Sequence, residues 1–172
     1  MSDDASTILD DALEAWSFAR GGTIAEAENV PDERWDFRPH QESRTYAELV
    51  RHMLEAAQML IGEAADPEGD FQRRSHAEHV RAHAAPLAPD AGPAELRGAL
   101  RETSEALLAR VRSAGAAHMA TPIRRFDGGS WKRVSYVFYA ASHEDYHRGQ
   151  LALYARLMGL VPALTQRIHG AA

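Results

Sequence analysis

Two histidines in the last third of the chain, His143 and His147, have a spacing that suits a metal ion. Side chains four residues apart lie on one face of a helix, so both imidazoles can reach a single divalent cation. The same face carries Tyr139 and Gln150, and the helix is apolar on its other sides, which predicts that this polar stripe faces the protein interior. A third imidazole, that of His52, lies on the apolar stripe of an earlier helix. Three neutral imidazoles would leave coordination positions open for water or a substrate.

The residues alone also allow a simpler interpretation, in which each histidine is a core residue satisfied by one hydrogen bond. With nine histidines in 172 residues, chance gives roughly half an H-x-x-x-H pair. A second group, His76, His79 and His83, would share one face of a short helix, but it lies among arginines in polar, proline-bounded sequence. We interpret this second group as a solvated surface.

Other polar side chains lie close to the three histidines on the predicted helices. Glu48 and Glu55 come one turn before and one turn after His52, where a carboxylate could offset the charge of a cation or orient the imidazole. Tyr139 and Tyr146, like Gln150, could donate hydrogen bonds to a bound water or substrate. We predict Tyr139, Tyr146 and Glu55 as the catalytic side chains. Aromatic packing and a solvated helix flank are the alternatives for these residues.

Four long segments with helical periodicity must position these side chains. The spacing of Thr45 and Glu48 is that of a capping box, which starts the second helix, and Pro93 is a good first residue for the third. Ser130 can cap the fourth helix, while the Gly21–Gly22 pair predicts a kink in the first. The predicted helices cover residues 6–29, 45–65, 93–114 and 130–158.

The connection between the second and third helices is long, at about residues 66–92. Ser75 and Glu78 in this segment have capping-box spacing and predict a short helix. Few apolar and β-branched residues alternate anywhere in the chain, which indicates an all-α protein. We predict one four-helix-bundle domain over residues 1–172, with room for a crossover in the long connection.

The composition excludes several classes of protein. Cysteine is absent, so disulfides, zinc–thiolate clusters and a cysteine nucleophile are excluded. The net charge of -6 is uneven, because residues 1–33 sum to -8 and the remainder to +2. Since an acidic first segment does not suit a phosphate backbone, we expect no nucleic-acid partner.

The sequence also predicts no membrane association. The opening residues, Met1 to Asp4, have neither the basic nor the apolar region of a signal peptide. The run from Val134 to Ser142, free of charge and proline, is far shorter than the ~20 residues that span a bilayer. We expect a cytoplasmic protein.

Two stretches of the chain resemble a known family. Residues 141–151, with the sequence ASHEDYHRGQL, closely resemble the signature of the DinB-like (DinB/YfiT-like) four-helix bundles. Residues 35–39, WDFRP, and residues 45–52, TYAELVRH, resemble the family's connector and its metal-ligand helix. The resemblance covers about residues 6–160, and it implies that His52, His143 and His147 are metal ligands.

The resemblance also implies a function. It implies a divalent-metal site, with zinc or nickel as the expected ion, in a protein that is often a homodimer. Family members include S-transferases that use low-molecular-weight thiols, maleylpyruvate isomerases and metal-dependent hydrolases. The expected activity is metal-dependent activation of a thiol or of water for S-transfer to, or hydrolysis of, a small molecule. A non-catalytic metal-binding protein, stress-associated or ligand-sensing, is the alternative, and a helical interaction module without metal is a third.

Overall fold

The computed structural model describes residues 2–170 and confirms the prediction of an all-α protein. Met1, Ala171 and Ala172, which the predicted domain of residues 1–172 includes, lie outside the described residues. The elements, in chain order, are α1 Ser2–Asn29, a 3-10 turn Asp32–Arg34, α2 Tyr46–Ala65, α3 His76–His83, α4 Pro93–Met119, β1 Pro122–Arg124, β2 Ser130–Lys132, α5 Val134–Leu157 and α6 Ala163–Gly170. No helix within this range is long and apolar enough to cross a membrane.

Four long helices form the body of the molecule. Each of α1 and α2 packs against both α4 and α5. The contact between α2 and α5 brings their facing sides together. Two buried apolar clusters fill the interior, one that includes Trp16, Leu60 and Val137 and another that includes Leu49 and Leu151. The predicted long connection between the second and third long helices contains α3, which packs on α2.

Local hydrogen bonds start two of the helices, as the sequence predicts. At the start of α2, the Glu48 amide donates to Thr45 Oγ1 at 3.1 Å, and the Thr45 amide donates to Glu48 Oε2 at 2.7 Å. Ser75 and Glu78 form the same capping box at the start of α3. These reciprocal bonds satisfy amides that have no partner within the helix, and they place His52 in the second turn of α2.

The predicted kink in α1 is wrong, since the helix runs without interruption through Gly21 and Gly22. A close approach between helices explains Gly22 instead. A Cβ atom at Gly22 would lie 2.1 Å from Nη1 of Arg148 on α5. A larger residue at this position would force the Arg148 side chain to move. At Gly149 on α5, by contrast, a Cβ would meet open space.

The start predicted for the last long helix is also wrong. Ser130 belongs to β2, which pairs with β1 in an antiparallel hairpin, and α5 begins only at Val134. The Arg133 side chain immediately before α5 donates to the carbonyl oxygens of Ala64 and Asp66, at 2.9 Å and 2.8 Å, at the end of α2. Strand pairing and this tertiary contact thus determine where α5 begins, and no serine cap is used.

Two further differences concern the ends of helices. The predicted third-helix end at residue 114 coincides with a break at Gly115, whose φ is 79°, but helical turns resume and α4 ends at Met119. The sequence did not predict α6. Its first amides, those of Ala163 and Leu164, donate to the buried carboxylate of Glu26 at 3.0 Å and 3.4 Å. A carboxylate at a helix N-terminus is favourable, so α1 provides the cap that α6 lacks locally.

Candidate metal centre

Three imidazoles converge between α2 and α5. Nε2 of His147 lies 3.2 Å from Nε2 of His52 and 3.2 Å from Nε2 of His143. All three ligand nitrogens lie within 4.8 Å of one another. Along both helices these residues fall where one apolar cluster gives way to the other. We call this group the histidine cluster.

A hydrogen bond sets the tautomer of His147. Its Nδ1 lies 2.8 Å from Oε1 of Gln150, one turn further along α5. The amide oxygen can only accept, so Nδ1 carries the hydrogen and the Nε2 lone pair is directed at the other two rings. The sequence predicted Gln150 as a donor to water or substrate, and this stays a prediction, because only its oxygen is used by His147 and the donor would be the amide nitrogen. The hydrogen bond to His147 orients that ring.

The surroundings keep the histidine cluster neutral. Burial, together with Arg44 and the neighbouring rings, lowers the pKa of His52 to about 4. Burial and the other two imidazoles lower the pKa of His143 to about 4 as well. Burial also lowers the pKa of His147, although Gln150 opposes the change. Metal ligands must be deprotonated, so the three rings are in the required form at neutral pH.

The donor set fits a divalent transition metal. Three neutral imidazoles are suitable ligands for zinc, nickel, copper or iron, and three protein ligands leave coordination positions for water or substrate. Lone pairs on nitrogens 3.2 Å apart repel one another unless protons or a cation lie between them. The structure thus brings His52, His143 and His147 together, and their role as ligands stays a prediction.

Two clefts reach the histidine cluster from different sides. The first, of about 420 Å³, is lined by His52, His143 and aromatic side chains that include Phe126, Trp131, Tyr136 and Tyr139. The second, of about 440 Å³, is lined by His52 and by charged side chains that include Arg38, Arg44, Arg51, Glu48 and Glu55. We call them the aromatic cleft and the charged cleft. His52 contributes to both, so it lies between them.

The predicted catalytic residues are not all inside the protein. Tyr139 lines the aromatic cleft with 46% of its surface exposed, and Glu55 lines the charged cleft. Tyr146 contacts the His147 ring at 4.9 Å between centroids but is 67% exposed and lines neither cleft. The prediction that this stripe faces the interior is wrong for both tyrosines. At about 100° per residue they lie on the opposite edge of the stripe from His147, and that edge faces solvent.

The interpretation of the second histidine group as a solvated surface is wrong for two of its three members. His79 is buried, and the side chain of His83 is 5% exposed. Nδ1 of His79 and Nε2 of His83 lie 3.1 Å and 2.6 Å from Oε2 of Glu63, which is itself buried on α2. We call these three residues the Glu63 cluster. His76 is exposed and lines the aromatic cleft.

One feature of the sequence indicates the Glu63 cluster. Glu63 follows a run of apolar residues in α2, in a position where a carboxylate is buried. A buried carboxylate requires partners, and the next basic residues after it in the chain are Arg73, Arg74 and the histidines of α3. Arg73 Nε lies 2.8 Å from Glu63 Oε1.

A buried ion pair joins α1 to α5 next to the histidine cluster. Nη2 of Arg20 lies 2.7 Å from Oε1 of Glu144, and both side chains are fully buried. Thr23 donates its hydroxyl to Oε2 of Glu144 at 2.6 Å. Burial raises the pKa of Glu144, and Arg20 and Thr23 oppose this rise. No local sequence pattern pairs residues so far apart in the chain.

The fold and the site define a class of protein, a helical bundle with a histidine cluster of metal-ligand type between two of its helices. The chain belongs to the DinB superfamily, whose sequence pattern matches residues 15–151. This range includes all three histidines of the cluster. No curated protein matches the chain.

Solved structures share the fold. One is a DinB-like protein, YjoA, from Bacillus subtilis, with a TM-score of 0.66 and 20% identity, covering 87% of this chain and 92% of that one. Another is a variant of a mycothiol-dependent maleylpyruvate isomerase, with a TM-score of 0.63 and 15% identity. That match covers 83% of this chain and 60% of the isomerase, which is thus considerably longer.

Proposed function

We propose that this protein is a metal-dependent enzyme that activates a small thiol for transfer to an electrophilic small molecule, or water for hydrolysis. The observation that carries the proposal is the convergence of three imidazole nitrogens at a point that two clefts reach. A closed structural site would need no such access. Thiol transfer is favoured over hydrolysis because a second cleft suits a second substrate, and because the isomerase with the same fold is mycothiol-dependent.

A divalent ion, zinc or nickel, supplies Lewis acidity in such a site and lowers the pKa of a bound thiol or water. The side chains of this protein bind the ion and orient its ligands. His52, His143 and His147 hold the ion, and Gln150 fixes the ring of His147 through Nδ1. In S-transfer the sulfur forms a bond to the electrophilic carbon, the leaving group departs with the electron pair, and the thiol proton passes to solvent.

Two further side chains have proposed roles at the edges of the clefts. The Tyr139 hydroxyl, in the aromatic cleft, donates a hydrogen bond to the electrophile. Glu55, in the charged cleft, offsets part of the charge of the ion. Both residues line clefts that His52 also lines. Tyr146 contacts His147 from the solvent side, so we propose packing against the ligand ring as its role.

The wider proposal follows the sequence expectations. We propose that residues 1–172 form one domain, that the protein is a cytoplasmic homodimer, and that its partners are small molecules and not nucleic acid or a membrane. The uneven charge and the family resemblance support these points.

Metal binding and turnover test the proposal together. The purified protein is titrated with Zn²⁺ and with Ni²⁺ by calorimetry, in parallel with His143→Ala and with His169→Ala, an exposed histidine that serves as the matched control. We expect one ion per chain in the wild type and in His169→Ala, and none in His143→Ala. The loaded protein is then assayed with thiols plus electrophiles, and with esters and amides. A metal-loaded protein inert towards all of them would favour the non-catalytic alternative.

A further inference from the structure

We propose that the two clefts bind two different molecules, the charged cleft an anionic thiol through Arg44 and the aromatic cleft a flat aromatic electrophile. This inference rests on the proposed function and names the substrate class for each side of the same site. It follows from the position of His52, which lines both clefts, while His143 lines only the aromatic one. Molecules in the two clefts would therefore approach the histidine cluster from different directions.

In the charged cleft, the arginines differ in what they bind. Arg38 lies 3.7 Å from the Glu48 carboxylate, and Arg51 donates to the Ala88 carbonyl at 2.7 Å. The Arg44 guanidinium has no hydrogen-bond or ion-pair partner within residues 2–170. Its backbone is fixed, because the Tyr154 hydroxyl donates to the Arg44 carbonyl at 3.2 Å. Its charge acts on Glu48, whose pKa it helps to lower, but no direct contact holds the guanidinium, so Arg44 is a positioned cation that can bind a ligand.

The lining of the charged cleft balances three arginines with three glutamates, Glu42 among them, so the attraction for an anion is local to Arg44 and to an ion in the histidine cluster. The ligand set consists of three neutral imidazoles, which leave both positive charges of a divalent ion uncompensated. Arg44 adds a further positive charge close enough to lower the pKa of all three rings. A carboxylate on the thiol would form a charge-assisted hydrogen bond with the guanidinium. Glu55 across the same cleft can accept from an amine, amide or hydroxyl of the same molecule.

The aromatic cleft has the opposite character. Trp131 packs against Tyr136 and Tyr139, with ring centroids 5.3 Å and 5.9 Å apart, and these rings form an apolar wall. The cleft also contains Arg125, but its guanidinium lies over the Trp131 ring at 4.2 Å and bonds Asp127 at 2.6 Å. That charge is therefore already paired. A cavity of about 420 Å³ with aromatic walls suits a substituted aromatic ring.

The first arm of the test measures thiol binding to the zinc-loaded protein by calorimetry. The probes are N-acetylcysteine and N-acetylcysteine amide, which differ only in the carboxylate. We expect the acid to bind at least tenfold more tightly than the amide. Arg44→Gln should remove this preference, and Arg34→Gln, a matched change at an exposed arginine outside both clefts, should retain it.

The second arm uses 1,3-dinitrobenzene, an unreactive aromatic compound that quenches tryptophan fluorescence. Trp16 and Trp35 are 0% and 2% exposed, so saturable quenching reports on Trp131 in the aromatic cleft. We expect the same dinitrobenzene affinity in the wild type and in Arg44→Gln, with or without saturating N-acetylcysteine. Tyr139→Ala should weaken dinitrobenzene binding severalfold and leave the thiol preference unchanged.

Three results would overturn the inference. Equal affinity for the acid and the amide, or competition between N-acetylcysteine and dinitrobenzene, would overturn it and leave the proposed function intact. Absence of any thiol binding to the zinc-loaded protein would overturn both the inference and the proposed S-transfer. Acid preference that depends on Arg44, with independent dinitrobenzene binding, supports it.

Discussion

Within residues 2–170, two groups of side chains could hold a metal ion, and each has one member on α2. The histidine cluster has three imidazoles, and the Glu63 cluster has two imidazoles and a carboxylate. In both, the potential ligand atoms lie within 4.8 Å of one another. By residue type and spacing alone, the Glu63 cluster is the better candidate, because its carboxylate would offset the charge of a cation. The difference lies in what else contacts these atoms.

The oxygens of Glu63 are already occupied. The Asp70 amide donates to Oε1 at 2.6 Å, and Arg73 lies 2.8 Å from Oε1 and donates to Oε2 at 2.9 Å. The two histidines contact Oε2 as well, and His79 Nε2 lies 3.3 Å from the Phe71 carbonyl. A cation there would have to displace a guanidinium. The Glu63 cluster therefore holds α3 and the preceding loop on α2, whereas the Nε2 atoms of the histidine cluster contact only one another.

The largest expected effect is loss of metal binding from the histidine cluster. Since a four-ligand zinc site provides about 10–16 kcal/mol, loss of one imidazole in His147→Ala should weaken zinc binding on the order of a thousandfold. His83→Ala removes a histidine of the Glu63 cluster and should leave zinc affinity unchanged. Calorimetric titration of both variants measures this difference. Equal losses in the two variants would show that the Glu63 cluster also binds zinc.

The next effect concerns stability. Glu63→Gln leaves Arg73, whose side chain is 22% exposed, and two histidines facing a neutral amide, and loss of such charge-assisted hydrogen bonds costs about 1–3 kcal/mol. Glu68→Gln makes the same change at an exposed site and should alter the unfolding free energy by less than about 0.5 kcal/mol. Urea denaturation at neutral pH measures both. Normal stability in Glu63→Gln would contradict the conclusion that the Glu63 cluster holds α3 and the preceding loop on α2.

Lowering the pH should remove the stabilising contribution of the Glu63 carboxylate in the wild-type protein. Burial raises the pKa of Glu63, but hydrogen bonds from His83, the Asp70 amide and Arg73 outweigh it and hold the pKa at about 2 instead of the usual 4.5. Because the unfolded state takes up the proton first, the stabilisation is complete above pH 4.5 and is lost as the pH falls towards 2. The loss amounts to about 3 kcal/mol at most.

Unfolding free energies measured across this pH range test the prediction. Glu63→Gln should lack this part of the acid sensitivity, and Glu68→Gln should keep it. If all three proteins lose stability in parallel, Glu63 is not the group responsible.

The smallest effect is expected at Gln150. Gln150→Ala removes the acceptor for His147 Nδ1, and loss of such an orienting partner weakens metal binding roughly 10- to 100-fold. Gln150→Glu keeps an acceptor oxygen and should restore most of the affinity. Zinc titration distinguishes this role from packing, because a packing role would make alanine and glutamate similarly damaging.

Whether a feature can be predicted from the sequence depends on how many residues separate the interacting residues along the chain. The capping boxes at Thr45 and Ser75 form within four residues, so their spacing suffices to predict them. The shared face of His143 and His147 likewise follows from helix geometry. The position of His52 on an apolar stripe made it a candidate third ligand, but that it joins them depends on the packing of α2 against α5, for which the family resemblance was the stronger indication.

Long-range contacts explain the errors. The burial of His79 depends on Glu63, 16 residues away, and no local pattern shows that partner. Ser130 has the chemistry of a helix cap, but its pairing with Arg124 in the hairpin prevails. Gly22 leaves room for the side chain of Arg148, which comes from another helix. In each case a tertiary contact outweighs a local preference.

The ion pair of Arg20 and Glu144 has a consequence for the rotation of α5. Glu144 directly follows His143, so about 100° separates their side chains around the helix axis. Turning α5 so that His143 swings away from His52 would also pull Glu144 from Arg20 in a region without water, where separating the charges costs several kcal/mol. The ion pair thus fixes the rotation of α5 about its axis. An ion can then bind to the histidine cluster with little rearrangement of the helices.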